Sequence, residues 1–202
     1  EPQSLLFEAL IPALEEVGAR FERGDFFVPE MLIAGRAMAG SMEVLRPLLA
    51  DTGVETIGKF VMGTVQGDVH DIGKNLVDII LSNNGYTVHN LGIKVPAETI
   101  ITKAAELKVD VIGLSGLLVK SALVMRDNLS IFRDAGLTQP ILLGGAALTP
   151  SFVANDCVPN YPHPVVYCAD AFAGLKALRA FEAGKLVSTQ VEARAASPAK
   201  PA

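Results

Sequence analysis

The stretch Gly67-Asp68-Val69-His70-Asp71-Ile72-Gly73-Lys74-Asn75 follows a β-branched run and opens an amphipathic helix pattern. A strand that passes directly into a helix is the repeating unit of a parallel α/β sheet, and ligands of such sheets bind beyond the carboxyl ends of the strands. The stretch therefore puts a histidine flanked by acids at the ligand-binding edge of a sheet. That position suits a metal-bearing cofactor.

Strand and helix patterns alternate from this stretch to the C-terminal part of the chain. The predicted strands are 60–65, 86–91, 111–114, 141–143 and 165–167, and the predicted helices are 73–83, 96–107, 121–134, 150–156 and 170–181. Five short β-branched strands alternating with helices predict an α/β fold with a five-stranded, parallel, doubly wound sheet of the flavodoxin or Rossmann-like type.

Two amphipathic helix patterns precede the sheet, over residues 4–21 and from Pro29 to a predicted end before Pro47. The predicted domains are a helical cap over 1–52, a linker over 53–58, the α/β domain over 59–186 and a disordered tail or linker over 187–202. Because residue 1 is glutamate and the chain opens on a helix pattern, we expect the cap to be truncated at its N-terminus.

Composition excludes several classes of function. The formal net charge is -5 and the basic residues are scattered, which argues against nucleic-acid binding. No apolar run approaches the roughly 20 residues that a bilayer span needs, so we expect no membrane partner. Cys157 and Cys168 lie in neither a CxxC nor a zinc spacing, which predicts reduced, buried thiols and a cytoplasmic location.

The pattern Asp68-x-His70-x-x-Gly73 carries the candidate metal chemistry. A histidine that binds a metal through one ring nitrogen needs a partner for the other, and a hydrogen-bonded carboxylate orients the ring and raises its basicity. Asp68 is the candidate partner, and Gly73 leaves room for a bulky ligand. The same three residues are equally consistent with a loop histidine and a turn glycine that have only structural roles.

Two further loops are predicted at the same edge of the sheet. Ser115 and Ser121 follow the third strand, where they are ligand contacts or helix caps. Gly144 and Gly145 follow the fourth strand, where they provide a tight turn or clearance for a flat ligand. Because the three loops follow strands one, three and four, they can converge on one crevice.

Together these residues resemble the cobalamin-binding (corrinoid) domains. The resemblance rests on Asp68-x-His70-x-x-Gly73, Ser115-x-Leu117 and Gly144-Gly145. The segment Phe26-Phe27-Val28-Pro29-Glu30, followed by Arg36-Ala37-Met38, resembles the helical cap of methyl-carrying corrinoid proteins. Within the family, the chain is most similar to the cobalamin domain of cobalamin-dependent methionine synthase.

The resemblance implies a role for each matched residue. His70 is the implied lower axial ligand of cobalt, and Asp68 and Ser121 are implied to continue a hydrogen-bond chain towards solvent and to couple release of His70 to proton uptake. The other implied cobalamin contacts are Gly67, Val69, Asp71, Gly73, Ser115, Val119, Gly144, Gly145 and Ala171 around the tail, and Phe21, Phe27, Val28 and Met31 over the methyl group. The position of Val119 is often threonine in the family, so its side-chain bond to the cofactor is absent here.

The implied cofactor is cobalamin, as methylcobalamin with its cobalt. The implied activity is that of a methyltransferase module that carries methyl from methyltetrahydrofolate to homocysteine, with folate-binding, homocysteine-binding and reactivation domains as partners. The nearest alternative is a free-standing corrinoid carrier for methanol, methylamine or methoxyaromatic systems. An adenosylcobalamin radical mutase and a cofactor-free, regulator-like flavodoxin fold with a structural His70 are the remaining alternatives.

Overall fold

A five-stranded parallel sheet forms the centre of the computed structural model, which describes residues 4–50 and 57–190. The strands are β1 (Lys59–Thr64), β2 (Thr87–Asn90), β3 (Val111–Ser115), β4 (Ile141–Gly144) and β5 (Val165–Cys168). Their order across the sheet is β2-β1-β3-β4-β5, and all neighbours are parallel. This is the order of flavodoxin-like doubly wound sheets, which confirms the predicted fold class.

Helices connect the strands and precede the sheet. They are α1 (Ile11–Glu22), α2 (Val28–Ala50), α3 (Ile72–Asn83), α4 (Ala97–Leu107), α5 (Val119–Asp134), the short α6 (Pro150–Phe152) and α7 (Ala171–Glu182). A π-helical segment, Leu5–Leu10, leads into α1, and the helix predicted over 150–156 continues from α6 as a π-helical turn, Val153–Cys157. Within the two described ranges, no helix combines the length and the apolar character that crossing a membrane requires.

The predicted end of the second helix before Pro47 is wrong, because α2 continues to Ala50. Proline removes its own N–H from the helix and disfavours the helical conformation of the residue before it. Pro47 lies in the last turn of α2, so its missing N–H removes one helical hydrogen bond without ending the helix.

Both faces of the sheet are buried, as expected for parallel strands that alternate between two covered sides. Val61 of β1 and Val65, the residue directly after β1, face a core formed with α4 and α5. Phe60 and Met62 face the opposite core, which α3, α7 and the cap helices cover. The second face is the one that carries the candidate functional site.

The cap helices dock on the α/β unit through their apolar residues. Phe21 of α1 packs against Phe172 of α7, with ring centroids 5.6 Å apart. The ring of Phe172 lies so close to Gly18 that an added Cβ there would be 2.8 Å from its Cε1 atom. Met31 of α2 is buried in the same core. The apolar face of the cap is therefore used for packing against the sheet domain.

Residues 187–190, which the sequence assigns to the tail, lie along the outer edge of β5. The hydroxyls of Ser188 and Thr189 accept hydrogen bonds from the backbone N–H groups of Val165 and Tyr167 at 3.1 and 2.7 Å. The Thr189 N–H donates to the Val165 carbonyl at 2.9 Å. An edge strand needs such partners for its backbone groups, which explains why the chain stays ordered against it. The rest of the predicted tail, 191–202, and residues 53–56 of the predicted linker lie outside the described residues.

Candidate functional site

A cavity of about 650 Å³ opens at the carboxyl ends of β1, β3 and β4 and extends between the sheet and helices α3 and α7. Its wall reaches Phe60, four residues before the end of β1, which corresponds to a depth of about 13 Å at 3.3 Å per residue. Buried apolar side chains form this deep end, namely Phe60, Met62, Leu81 and Leu142. The cavity therefore has room for a long ligand with an apolar end.

His70 lies at the mouth of this cavity, with 45% of its side chain exposed. Its Nδ1 atom is 2.6 Å from Oδ1 of Asp68, and its backbone N–H donates to the same oxygen at 2.9 Å. Because a carboxylate oxygen accepts both bonds, the ring proton belongs on Nδ1, and the lone pair of Nε2 is left for a metal. The predicted pairing of Asp68 with His70 is thus present.

Asp68 is almost completely buried, with 1% of its surface exposed, and its second oxygen is bound from another loop. The Ser121 hydroxyl donates to Oδ2 at 2.5 Å, and the Leu117 N–H donates to it at 2.8 Å. Burial alone would raise the pKa of Asp68, but the hydrogen bonds from Ser121, His70 and Leu117 hold that pKa well below its ordinary value. Asp68 is therefore an ionised acceptor that joins the loop after β1 to the start of α5.

The predicted hydrogen-bond chain from His70 through Asp68 to Ser121 exists, but it ends at a buried hydroxyl. Ser121 is 3% exposed and lies inside the first turns of α5. The described contacts do not carry the chain further to solvent. The two serines of the predicted second loop therefore have different surroundings, since Ser115 lines the cavity and Ser121 bonds Asp68.

Gly116 is a residue of this site that the sequence analysis did not single out. A Cβ at Gly116 would be 2.6 Å from Cβ of Ser121 and 3.2 Å from Oδ2 of Asp68. Any side chain there would push apart the pair that holds His70. The signal in the sequence was a glycine directly after Ser115, but only the fold shows what lies against it.

Gly144 and Gly145 line the cavity together but serve different needs. A Cβ at Gly145 would be 1.7 Å from the carbonyl oxygen of Gly116, and the φ angle of Gly145 is 150°, where side chains are rarely accommodated. A Cβ at Gly144 would meet only the Cys168 carbonyl oxygen, at 3.7 Å. Gly145 thus allows two loops to touch, whereas Gly144 leaves empty space on the cavity wall.

The remaining predicted tail contacts divide into two groups. Four line the cavity, namely Val69, Asp71, Gly73 and Ala171. Two do not: Gly67 has a φ angle of 86° in the turn that precedes Asp68, and Val119 begins α5 with an exposed side chain. A Cβ at Gly73 would meet no protein atom within 4 Å, so the space beside it is open to a ligand.

The predicted upper-face residues of the cap do not line this cavity. Phe21 and Met31 belong to the core between the cap and the sheet domain, where helix docking takes precedence over exposure to a ligand. Phe27, which lies directly before α2, is 67% exposed. The side chain of Val28 lies outside the described residues.

Cys168 and Asp170 also line the cavity and were not predicted as contacts. Cys168 is in register with Gly144, which is itself in register with Ser115, so one row of residues crosses the sheet at the level of the cavity. Asp170 caps α7 by accepting a hydrogen bond from the Ala173 N–H at 2.8 Å. The register of the strands brings these three residues into one row, and the sequence alone does not predict that register.

His70 is the one imidazole among the residues that line the cavity. Among the described residues, no three His, Cys, Asp or Glu side chains come together as a metal-ion cluster. A single nitrogen ligand suits a metal that a macrocycle already holds, and the open space beside Gly73 and Gly144 suits the bulk of such a cofactor. The residues present therefore fit a cobalt corrinoid with a long tail.

Comparison with known proteins gives the same assignment. The family described as B12 binding domain matches residues 58–161, and a second family of the same description matches residues 1–46. Methionine synthase from Mycobacterium tuberculosis is 46% identical over 87% of this chain and 15% of that protein. Dimethylamine corrinoid protein 1 from Methanosarcina acetivorans is 35% identical over 78% of this chain and 76% of that protein.

Among solved structures, the methanol:cobalamin methyltransferase complex from Methanosarcina barkeri matches with a TM-score of 0.79 at 28% identity, over 93% of this chain and 70% of that chain. The chain spans about 15% of the length of the methionine synthases that it matches. The family matches over both parts of the chain agree with an oriented histidine at the mouth of a deep cavity. The chain belongs to the B12-binding domain family, and its cofactor is cobalamin.

Proposed function

We propose that this chain binds cobalamin with His70 as the lower axial ligand of cobalt and carries a methyl group between partner domains. The observation that carries the proposal is the 2.6 Å bond between His70 Nδ1 and Asp68 at the mouth of the cavity. A buried, ionised carboxylate on Nδ1 leaves Nε2 as the metal-binding nitrogen.

Bound cobalamin supplies a cobalt ion that accepts a methyl group from one substrate and transfers it to a nucleophile such as a thiolate. The chain itself supplies the axial nitrogen and controls its position. Asp68 and Ser121 are proposed as positioning residues that keep the ring in one tautomer and that take part in proton uptake when His70 is released. Because Ser121 is buried, the proton would reach Asp68 from the side of His70, which is exposed.

The cavity is proposed as the binding site for the nucleotide tail of cobalamin. With His70 on cobalt, the cofactor's own benzimidazole would need another place. The deep end of the cavity is apolar, which favours an aromatic base, and the region near its mouth carries Asp71, Ser115 and Asp170 for the polar parts of the tail. Gly144 provides the clearance on the wall.

The cap is proposed to protect the opposite face of the corrin from water and oxidants. Phe27 supports this role best among the predicted cap residues, since its ring is exposed while Phe21 and Met31 are packed in the core. Methyl transfer would require the cap to move away so that each partner domain reaches the cobalt.

The proposed system is cytoplasmic methionine synthesis, in which folate-binding and homocysteine-binding domains provide methyltetrahydrofolate and homocysteine, and a reactivation domain restores oxidised cobalt. The 46% identity to a methionine synthase supports this choice over the 35% identity to a dimethylamine corrinoid protein. The second candidate is a corrinoid carrier for methylamine, methanol or methoxyaromatic substrates, which the 76% coverage of the dimethylamine corrinoid protein favours.

The binding proposal is tested by absorption spectra of the apoprotein mixed with methylcobalamin, for wild type and His70→Ala. We expect the wild-type spectrum to be that of an imidazole-ligated corrinoid and the His70→Ala spectrum to be that of a corrinoid without an axial base. Identical spectra would contradict the proposal. Methyl transfer measured with methyltetrahydrofolate, methylamine or methanol, each with its cognate partner enzymes, then separates the two systems.

A further inference from the structure

Thr64 is the last residue of β1, and none of its surface is exposed. Its hydroxyl donates a hydrogen bond to the backbone carbonyl of His70 at 3.0 Å. Its own backbone is also fully bonded, since its N–H donates to the Gly92 carbonyl at 3.0 Å and its carbonyl accepts from the Val95 N–H at 2.9 Å. Thr64 is thus a fixed point of the sheet that reaches across the loop to the histidine.

The loop from Thr64 to His70 is closed by bonds on both sides of the histidine. The His70 N–H donates to Asp68 Oδ1 at 2.9 Å, and the His70 carbonyl accepts from Thr64. Asp68 is itself tied to the loop after β2, because the Lys94 N–H donates to the Asp68 carbonyl at 3.1 Å. Both peptide groups that flank the Cα atom of His70 are therefore held, and the imidazole can move mainly by rotating its side chain.

We propose that Thr64 is a positioning residue for cobalt ligation, because its hydroxyl fixes the main chain of His70 at the mouth of the cavity. This inference rests on the proposed role of His70 as axial ligand. A ligand held in place before the metal arrives loses less conformational freedom on binding, so it binds the metal more tightly. The Asp68 carboxylate fixes the rotation and the tautomer of the His70 ring, whereas the Thr64 hydroxyl fixes the position of the His70 backbone.

Three variants test the proposal. Thr64→Val removes the hydroxyl and keeps the shape, while Thr64→Ser keeps a hydroxyl. Thr102→Val is the matched control, because the Thr102 hydroxyl donates to the Glu98 carbonyl at 2.9 Å on the exposed side of α4, away from the cavity. If Thr64→Val does not fold, as judged by circular dichroism, Thr64→Ala removes the same hydroxyl without filling its place.

The probes are methylcobalamin and methylcobinamide, which lacks the nucleotide tail and therefore depends more on the axial ligand. We expect Thr64→Val to weaken methylcobinamide binding about three- to tenfold, the range for one lost hydrogen bond, and to weaken methylcobalamin binding less. The fraction of imidazole-ligated cobalt, measured from the absorption spectrum, should also be lower in Thr64→Val than in wild type. Thr64→Ser and Thr102→Val should match wild type in both measurements.

Suppose that the wild-type spectrum shows imidazole on cobalt. Thr64→Val with the wild-type affinity for methylcobinamide and the wild-type spectrum would then overturn this inference and leave the proposed function standing. An equal loss in Thr102→Val, or no recovery in Thr64→Ser, would overturn it too. A wild-type spectrum without imidazole on cobalt would overturn the proposed function, and this inference with it. The two failures are therefore distinguishable by the wild-type spectrum.

Discussion

Gly145→Ala is expected to lower the stability of the apoprotein, whereas Gly144→Ala is expected to weaken cobalamin binding, although the two residues are adjacent. At Gly145 the new methyl group would overlap the Gly116 carbonyl oxygen, 1.7 Å away, and the φ angle of 150° disfavours any side chain. At Gly144 the methyl group would contact only the Cys168 carbonyl oxygen, at 3.7 Å, and would project into the cavity wall.

The expected magnitudes follow from these two environments. Gly145→Ala combines backbone strain of about 1–3 kcal/mol with overlap of about 1–3 kcal/mol, so the apoprotein should lose about 2–6 kcal/mol of its free energy of unfolding. That loss is a large part of the roughly 5–15 kcal/mol that holds a typical domain. Gly144→Ala should change the stability of the apoprotein by less than about 1 kcal/mol, because it replaces empty space and restricts the unfolded chain.

Two measurements separate the variants. Urea unfolding of the apoproteins reports stability, and titration with methylcobalamin and methylcobinamide reports binding. Gly144→Ala should bind methylcobalamin about tenfold more weakly, since a methyl group that crowds a filled cavity costs about 1–3 kcal/mol, and should bind tail-free methylcobinamide as wild type does.

The reasoning would be refuted by a Gly145→Ala apoprotein as stable as wild type, since two loops would then not touch at this point. It would also be refuted by a Gly144→Ala protein that binds methylcobalamin normally, since the tail would then not lie beside this residue. Equal effects of Gly144→Ala on both corrinoids would place the corrin, and not the tail, against it.

Three further predictions use the same proteins. His70→Gly should still bind methylcobalamin through the tail cavity but lose most affinity for methylcobinamide; equal losses for the two corrinoids by titration would contradict the lower-ligand role. Because hydrogen bonds hold the pKa of Asp68 below its ordinary value, Asp68 stabilises the fold above about pH 4, and this stabilisation is lost as pH falls further. The free energy of unfolding by urea, measured from pH 6 to pH 2, should therefore depend less on pH in Asp68→Asn than in wild type. The same pH dependence in both proteins would argue against an ionised Asp68. Burial raises the pKa of Cys157 to about 11 and that of Cys168 to about 12, so at pH 8 iodoacetamide should alkylate the native apoprotein at least about 100-fold more slowly than the urea-unfolded chain, and rapid native labelling would show accessible thiols.

Strands and loops were predictable because their signals are local. The runs of apolar and β-branched residues follow from strands that are buried on both faces of the sheet, and the predicted strand ends differ from the observed ones by at most one residue. The motif around His70 was likewise predictable, since Asp68 and His70 are two residues apart and their bond forms within one loop.

The cap shows where local signals do not suffice. Phe21, Phe27 and Met31 are all large apolar residues of the cap, yet Phe27, which lies directly before α2, is exposed and the other two are packed in a core. Helical spacing states which residues share a face, but it does not state whether that face meets a ligand or another helix.

The sequence by itself determined the class of sheet, the edge at which the cavity opens and the identity of the candidate metal ligand, because periodicity and short motifs depend on neighbours along the chain. Only the tertiary structure decided how that ligand is held. Asp68 is bonded by Leu117 and Ser121, 49 and 53 residues away, and Gly145 touches Gly116 across two loops. These contacts arise because β1, β3 and β4 lie side by side in the sheet, and no pattern within one segment records which residues of another segment come to face it.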